Sequence, residues 1–489
     1  MTQHQNYSSS WVSFIKKDAK KFFAMALMMF LILLDQNVVR IVKDSIVSIN
    51  IGPEVISFIK LYIEMPAGLL FCLIYAKMCN KMSTEWVFRI IFTFFIFLFL
   101  AFALFILPNK ESLHPDPEYV KSLIASYPYI RWFIEMYGKW IYVLLYVTGE
   151  LYPMIVFTLL FWHLANKITA PDEAAKFYPL IGVIGHTNML CCKYVVPFLS
   201  NPNNFGITLS GDPGEIVYKS LLIGAFGIGL LVLAIHYYID KTIVQDTQFV
   251  ARVANEPLKL SLKESFRVIV KSKYLALISI LTISYSMSIN LIEGLWMSKA
   301  KELYSNSADL IYYQTNVLFY TGCMTIFISI IANFSIRRLG WMASALCAPI
   351  AILIGGSLFY SAVFLQDYLY LIGITSALSF VVLMGGIQNI VGKGTKYSLF
   401  DDTKEMAYIP LNKELKTKGK AAVDIIGGKI GKSSGAIIQF IFFSLFPYAS
   451  FVDISGYLFI MFIAVCMFWI SAVVLLSKEY RKLLEVKEV

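Results

Sequence analysis

The chain has 489 residues, of which 58% are hydrophobic and 15% charged, and its mean hydropathy is +0.67. That is more apolar side chain than a soluble domain of this length could bury, which excludes an ordinary water-soluble enzyme and places the chain in a bilayer. The net charge of +10 would suit nucleic acid in a soluble protein, but here the basic residues fall in alternate loops, which is a topology signal and not a nucleic-acid surface.

Roughly 20 consecutive apolar residues cross the hydrocarbon core as a helix, and about twelve such stretches follow one another along the chain. Their approximate centres are Met29, Pro66, Phe97, Gly149, Met189, Gly229, Tyr285, Cys323, Ile354, Val381, Ile437 and Ala464. The short alternating segments of a membrane barrel are absent, so the predicted class is an all-α integral membrane protein.

The N-terminus is polar and then basic, with Lys16, Lys17, Lys20 and Lys21, and runs directly into the first span without a cleavage site, so that span is expected to be retained. Span one ends in LLDQNVVRIVKDSIV and carries Asp35, Arg40, Lys43 and Asp44. A charge at bilayer depth costs about 2.5 to 3.5 kcal/mol on insertion scales, so such residues face a cavity or a partner unless they snorkel to the surface. For Arg40 and Lys43 position alone leaves both readings open. In span two, Lys60 and Glu64 stand four apart and are expected to neutralise each other on one helix face.

The segment from Pro108 to Arg131 is the largest outer loop and is rich in turn residues. Span four carries Glu150, between Gly149 and Pro153, and span seven carries Glu293 in NLIEGLW. Neither has an opposite charge within a helical turn, so each must find a partner on another helix, bind substrate or take a proton. His186 in span five, and Gln388 and Asn389 in span ten, are expected to be hydrogen-bonding contacts between helices.

The longest basic connection, residues 240–273, divides the spans six and six, the layout of carriers whose two halves rock around a central site. The expected organisation is therefore residues 1–239, a central cytoplasmic loop 240–273, and residues 274–489. With basic loops inside, both termini are predicted to be cytoplasmic.

Between spans ten and eleven lies a charged cytoplasmic connection containing Lys393, Lys396, Asp401, Asp402, Lys404 and Glu405, after which span eleven opens as AAVDIIGGKIGKSSGAIIQF. A phosphate-binding loop needs its first glycine five residues before the GKS glycine; Ile426 occupies that place, and no strand precedes it. What remains is Lys429 and Lys432 on a helix whose small residues permit close approach by a neighbouring helix or a ligand. Lysines at a cavity suit an anionic substrate; interfacial snorkelling is the alternative.

The seven cysteines show no metal or disulfide spacing, and no catalytic, metal or cofactor motif occurs, so neither an enzyme nor a bound cofactor is expected.

With these segments together, the chain resembles the nucleotide transporter family typified by the ATP/ADP translocases of obligate intracellular bacteria and plastids. The resemblance runs over nearly the whole length and is carried by VRIVKDSIV, PEVISFIKLYIEMPAGLLF, TGELYP, LLFWHLANKIT, NLIEGLWMSKAKELY and KYSLFDDTKEMAYIPLNKELKTKGKAAVDIIGGKIGKSSGA. It implies a fold similar to the major facilitator type and carriage of nucleotides such as ATP and ADP across a bacterial inner membrane, commonly by antiport. A proton-coupled nucleotide importer of other base specificity is the alternative, and a monomer is the expected functional unit. The residues tied to transport in that family match Lys43, Glu150, Glu293 and Lys432 here, with Lys429 as the fallback for the last; independently of the family, the charge of a nucleotide makes Arg40 a further expected phosphate contact beside Lys43 and Lys432. Two departures, Ser434 within GKSSGA and the wording VRIVKD, leave the charges in place.

Overall fold

The computed structural model describes residues 19–169, 171–244, 267, 269–270, 272–411 and 413–488, and all its regular elements are helical. Most of the predicted central loop and the lysines before Lys20 lie outside the described residues, as do the side chains of Lys429 and Lys432. The helices are α1 Ala19–Asn50, α2 Val55–Lys81, α3 Thr84–Ile106, α4 Trp140–Ile168, α5 Pro171–His186, α6 Asn188–Ser200, α7 Pro213–Ile243, α8 Lys273–Leu303, α9 Ser307–Ala332, α10 Arg338–Phe364, α11 Ala377–Ala407, α12 Lys413–Leu445 and α13 Ser455–Leu483.

Ten of these are long and apolar enough to cross a membrane. The stretches expected around Met189 and Ile437 are helical but differ in kind. The first is divided into α5 and α6 at Thr187, whose hydroxyl donates to the Ile184 carbonyl at 2.6 Å. The second is the apolar end, Ser433–Leu445, of a helix whose earlier turns carry lysines. The charged connection predicted after span ten is also helical, because α11 runs on through Lys396–Phe400 and Asp401–Ala407. The turn-rich segment after Pro108 holds short helices; Asp116 caps Pro117–Ser126, its Oδ1 accepting from the Glu118 amide at 2.7 Å.

The chain forms two compact units. Unit one comprises the described residues within Met1–Ile46, Glu64–Leu113 and Leu144–Asn255, and unit two those within Val47–Ile63, His114–Val143 and Glu256–Val489. In unit one, Phe88, Phe92, Phe95 and Phe99 form a stripe on α3 at spacings of four and three, all buried. Tyr152 of α4 packs among the last three, with ring centroids 6.2, 5.6 and 5.3 Å away.

In unit two, α8 and α12 approach closely through glycines. A Cβ built at Gly427, Gly431 or Gly435 would come within 2.7 Å of Thr282, 2.9 Å of Ser286 and 2.6 Å of Asn290 respectively. Residues four apart on each helix thus mesh, the small-residue packing that brings membrane helices close. The small residues of span eleven were compatible with a helix or a ligand; at these three positions the neighbour is a helix. In the first turn of α10, Gly340 takes φ 78° and kinks the run, a conformation other residues rarely adopt.

Candidate functional site

In unit one the decisive local feature is the sequence Gly149–Glu150–Leu151–Tyr152–Pro153 of α4. Proline has no amide hydrogen, so the carbonyl four residues earlier, that of Gly149, loses its helical donor, and α4 passes into a π-helical stretch from Pro153 to Phe161. Gly149 also leaves room on the face toward α1: a Cβ there would lie 2.7 Å from Lys43 Cδ and 3.2 Å from Val39 Cγ1. Lys43 fills that room. Its Nζ lies 2.7 Å from Glu150 Oε1 and 2.5 Å from Asp44 Oδ1, and 4.2 Å from the centroid of the Tyr146 ring.

With only 3% of its side chain exposed, Lys43 does not snorkel. A buried ammonium without partners would cost several kcal/mol; two carboxylates and an aromatic face compensate it here. Asp44 pairs with Lys43, and Arg40, one turn earlier on α1 and half-buried, makes no ion pair with another described residue. Two turns before Lys43, Asp35 accepts a hydrogen bond from the Tyr152 hydroxyl at 2.5 Å, so α1 and α4 are joined at two polar points.

In unit two, Glu293 of α8 pairs with Lys393 of α11, Oε1 to Nζ 3.0 Å. Gly294, the next residue, lies against the Phe451 ring. One turn further along α11, Lys396 pairs with Asp401 at 3.0 Å and sits 4.4 Å from the Tyr397 ring centroid and 5.7 Å from that of Tyr285. Asn290, one turn before Glu293, accepts from Lys60 Nζ at 3.2 Å through Oδ1 and from Gln439 Nε2 at 2.8 Å through its carbonyl.

The expected Lys60 to Glu64 pair is corrected by that contact. Residues Lys60–Glu64 form a π-helical turn, and the Lys60 ammonium is directed to Asn290 of α8 instead of along its own helix. Of the sequence-predicted residues, Lys43 and Glu150 are brought together and Glu293 is partnered by another helix; the side chains of Lys432 and Lys429 lie outside the described residues. Sequence reasoning passed over Lys393 because it was assigned to a loop. The signal was present: Asn389, Lys393 and Lys396 continue one helical face past the point where span ten was expected to stop.

A carboxylate-held lysine inside a membrane helix bundle can exchange its carboxylate for another anion. The family model described as TLC ATP/ADP transporter matches residues 2–480. The chain belongs to the TLC ATP/ADP transporter family. Among curated members, ADP,ATP carrier protein 3 of Rickettsia bellii is 40% identical over 488 residues, covering 96% of each chain. ADP,ATP carrier protein 1 of Rickettsia conorii is 37% identical over 477 residues, covering 96% of this chain and 95% of the relative.

The fold of this TLC family member is also that of known carriers. A bacterial homologue of the iron transporter ferroportin superimposes with TM-score 0.61 at 13% identity, over 94% of this chain and 98% of that one. The xylose transporter XylE from E. coli, in an inward open conformation, gives TM-score 0.52 at 12% identity, over 94% and 95%. Those likenesses establish a major-facilitator-like, all-α membrane fold; like the rest of its family the chain is a transporter and not an enzyme.

Proposed function

We propose that this protein exchanges nucleotides across a bacterial inner membrane, ATP for ADP being the leading pair, by alternating access. The observation that carries the reading is the buried Lys43 held by Glu150 at 2.7 Å and Asp44 at 2.5 Å, in a chain whose relatives are named ADP,ATP carriers. A nucleotide di- or triphosphate brings roughly three to four negative charges, which no apolar passage admits uncompensated. Lys43, Lys432 and Arg40, with Lys429 in reserve, are the proposed phosphate contacts.

Glu150 and Glu293 are the proposed locks. Each holds a lysine until phosphate displaces it, so a carrier without nucleotide is held by its own ion pairs and turns over mainly when loaded. That makes exchange obligatory. The organisation that goes with this reading is about twelve spans in two six-helix halves, 1–239 and 274–489, joined by the loop 240–273, with both termini cytoplasmic and a functional monomer.

The test is uptake of labelled ATP, ADP and other nucleotides into proteoliposomes, with and without unlabelled nucleotide inside. Strong stimulation by internal ATP or ADP is expected, with no loss when the pH gradient is dissipated. Uptake that is indifferent to internal nucleotide would sink the antiport reading.

A further inference from the structure

The two lysine–glutamate pairs occupy matching places in the chain. Counting long helices from the N-terminus, Lys43 and Glu150 lie on the first and the fourth, α1 and α4. Counting again from residue 273, Glu293 and Lys393 lie on the first and the fourth, α8 and α11. The order of charge is reversed: in one set the first helix brings the lysine, in the other the glutamate. That reversal hides the correspondence from any comparison of the two halves by sequence. Both glutamates also adjoin a glycine, Gly149 before one and Gly294 after the other.

The unit-two pair is the more accessible. Glu293 is 37% and Lys393 22% exposed, against 16% and 3% for Glu150 and Lys43. An ion pair placed well inside two membrane helices cannot turn a third of its carboxylate toward hydrocarbon without heavy cost, so that exposed edge faces water. A dissolved anion can therefore reach Lys393 without first unpacking the helices.

We propose that Lys393 is a phosphate-contacting residue of the nucleotide site, held by Glu293 until nucleotide displaces the carboxylate, as Lys43 is held by Glu150. This rests on the nucleotide-carrier reading above and adds a cation that the sequence comparison did not supply. Lys393 acts by direct contact with the phosphate chain. Its loss therefore weakens ATP more than AMP, because the lost partner is a charge matched to the number of phosphates.

The full-length protein in proteoliposomes tests this, with labelled ADP taken up against internal ATP. Lys393→Gln is expected to raise the external KM for ADP by about tenfold or more, the equivalent of one charge-assisted hydrogen bond, and to narrow the ratio of ATP to AMP as competitors. Lys393→Arg keeps part of the affinity. The exchanged pair Glu293→Lys with Lys393→Glu restores the ion pair but not the position of the cation, so its KM stays raised.

A wild-type KM and wild-type ATP to AMP ratio in Lys393→Gln would overturn the proposal, and so would full recovery of KM in the exchanged pair, which would make the bridge purely structural. If Lys393→Gln does not fold, the exchanged pair decides alone. Absence of nucleotide exchange by the wild-type protein would instead remove the carrier reading itself, so the two failures are distinct.

Discussion

Replacing Glu150 by glutamine should make this carrier bind nucleotide more tightly and move it more slowly. Lys43 lies 2.7 Å from Glu150 and 2.5 Å from Asp44, so the substitution removes one of two carboxylate contacts and leaves the ammonium buried and still partly compensated. A hydrogen bond to a charged group contributes about 1.5 to 3 kcal/mol net. That is the work an incoming phosphate does to displace Glu150, and without it binding should tighten by about 10- to 150-fold. The same energy is missing when nucleotide leaves, so release slows. Counterflow of labelled ADP in proteoliposomes should give a lower KM together with a lower maximal exchange rate in Glu150→Gln. Exchange at the wild-type rate with an unchanged or raised KM would refute the displacement argument.

Gly149→Val should lower nucleotide affinity and thermal stability together, since the first added carbon alone falls 2.7 Å from Lys43 Cδ; overpacking of this kind costs about 1 to 3 kcal/mol, read as a fall in Tm in detergent. Gly435→Leu should destabilise by a similar amount through unit two, because a Cβ there meets Asn290 Cβ at 2.6 Å, with the loss again visible in Tm. Glu54 gives a pH effect. It lies between α1 and α2, where burial pushes its carboxyl above the ordinary value of 4.5, against the opposing pull of Lys301 and Arg131. A raised folded pKa means the folded state prefers the protonated form; the stabilisation is complete below 4.5 and is lost as pH rises through the folded value. The Tm of Glu54→Gln should therefore fall less than that of the wild type as pH is raised from 4.5 through the folded value, and parallel slopes would count against a buried carboxyl.

The class of fold was legible because hydrocarbon thickness sets a simple length rule that the chain obeys at every long span. Where the rule failed, charge was the reason. Lys393 to Glu405 read as a loop because lysines and carboxylates interrupt the oil, yet those charges pair with one another and with α8, and so remain in a helix. Lys60 and Glu64 misled in the opposite direction, since a four-residue spacing permits contact along one helix face but does not select it over a partner on another helix, here Asn290. Glu150 was legible as a residue needing a partner on another helix, and its partner proved to be Lys43. Glu293 was equally legible, but Lys393 was not, because the periodicity that places it had been assigned to a connection.

The boundaries between the two units fall within helices as well as in loops: α1, α2 and α4 each contribute residues to both. Cutting the gene in the central loop and producing the first piece alone would therefore strand Val47–Ile63 and His114–Val143, which pack on each other but belong to a unit whose larger part is encoded downstream. Phe58 and Tyr62, for instance, would meet no Phe440, whose ring lies 5.0 and 5.2 Å from theirs. During synthesis the early helices must wait for the late ones, and a ribosome stalled midway leaves a chain with an unfinished surface that quality-control proteases can recognise.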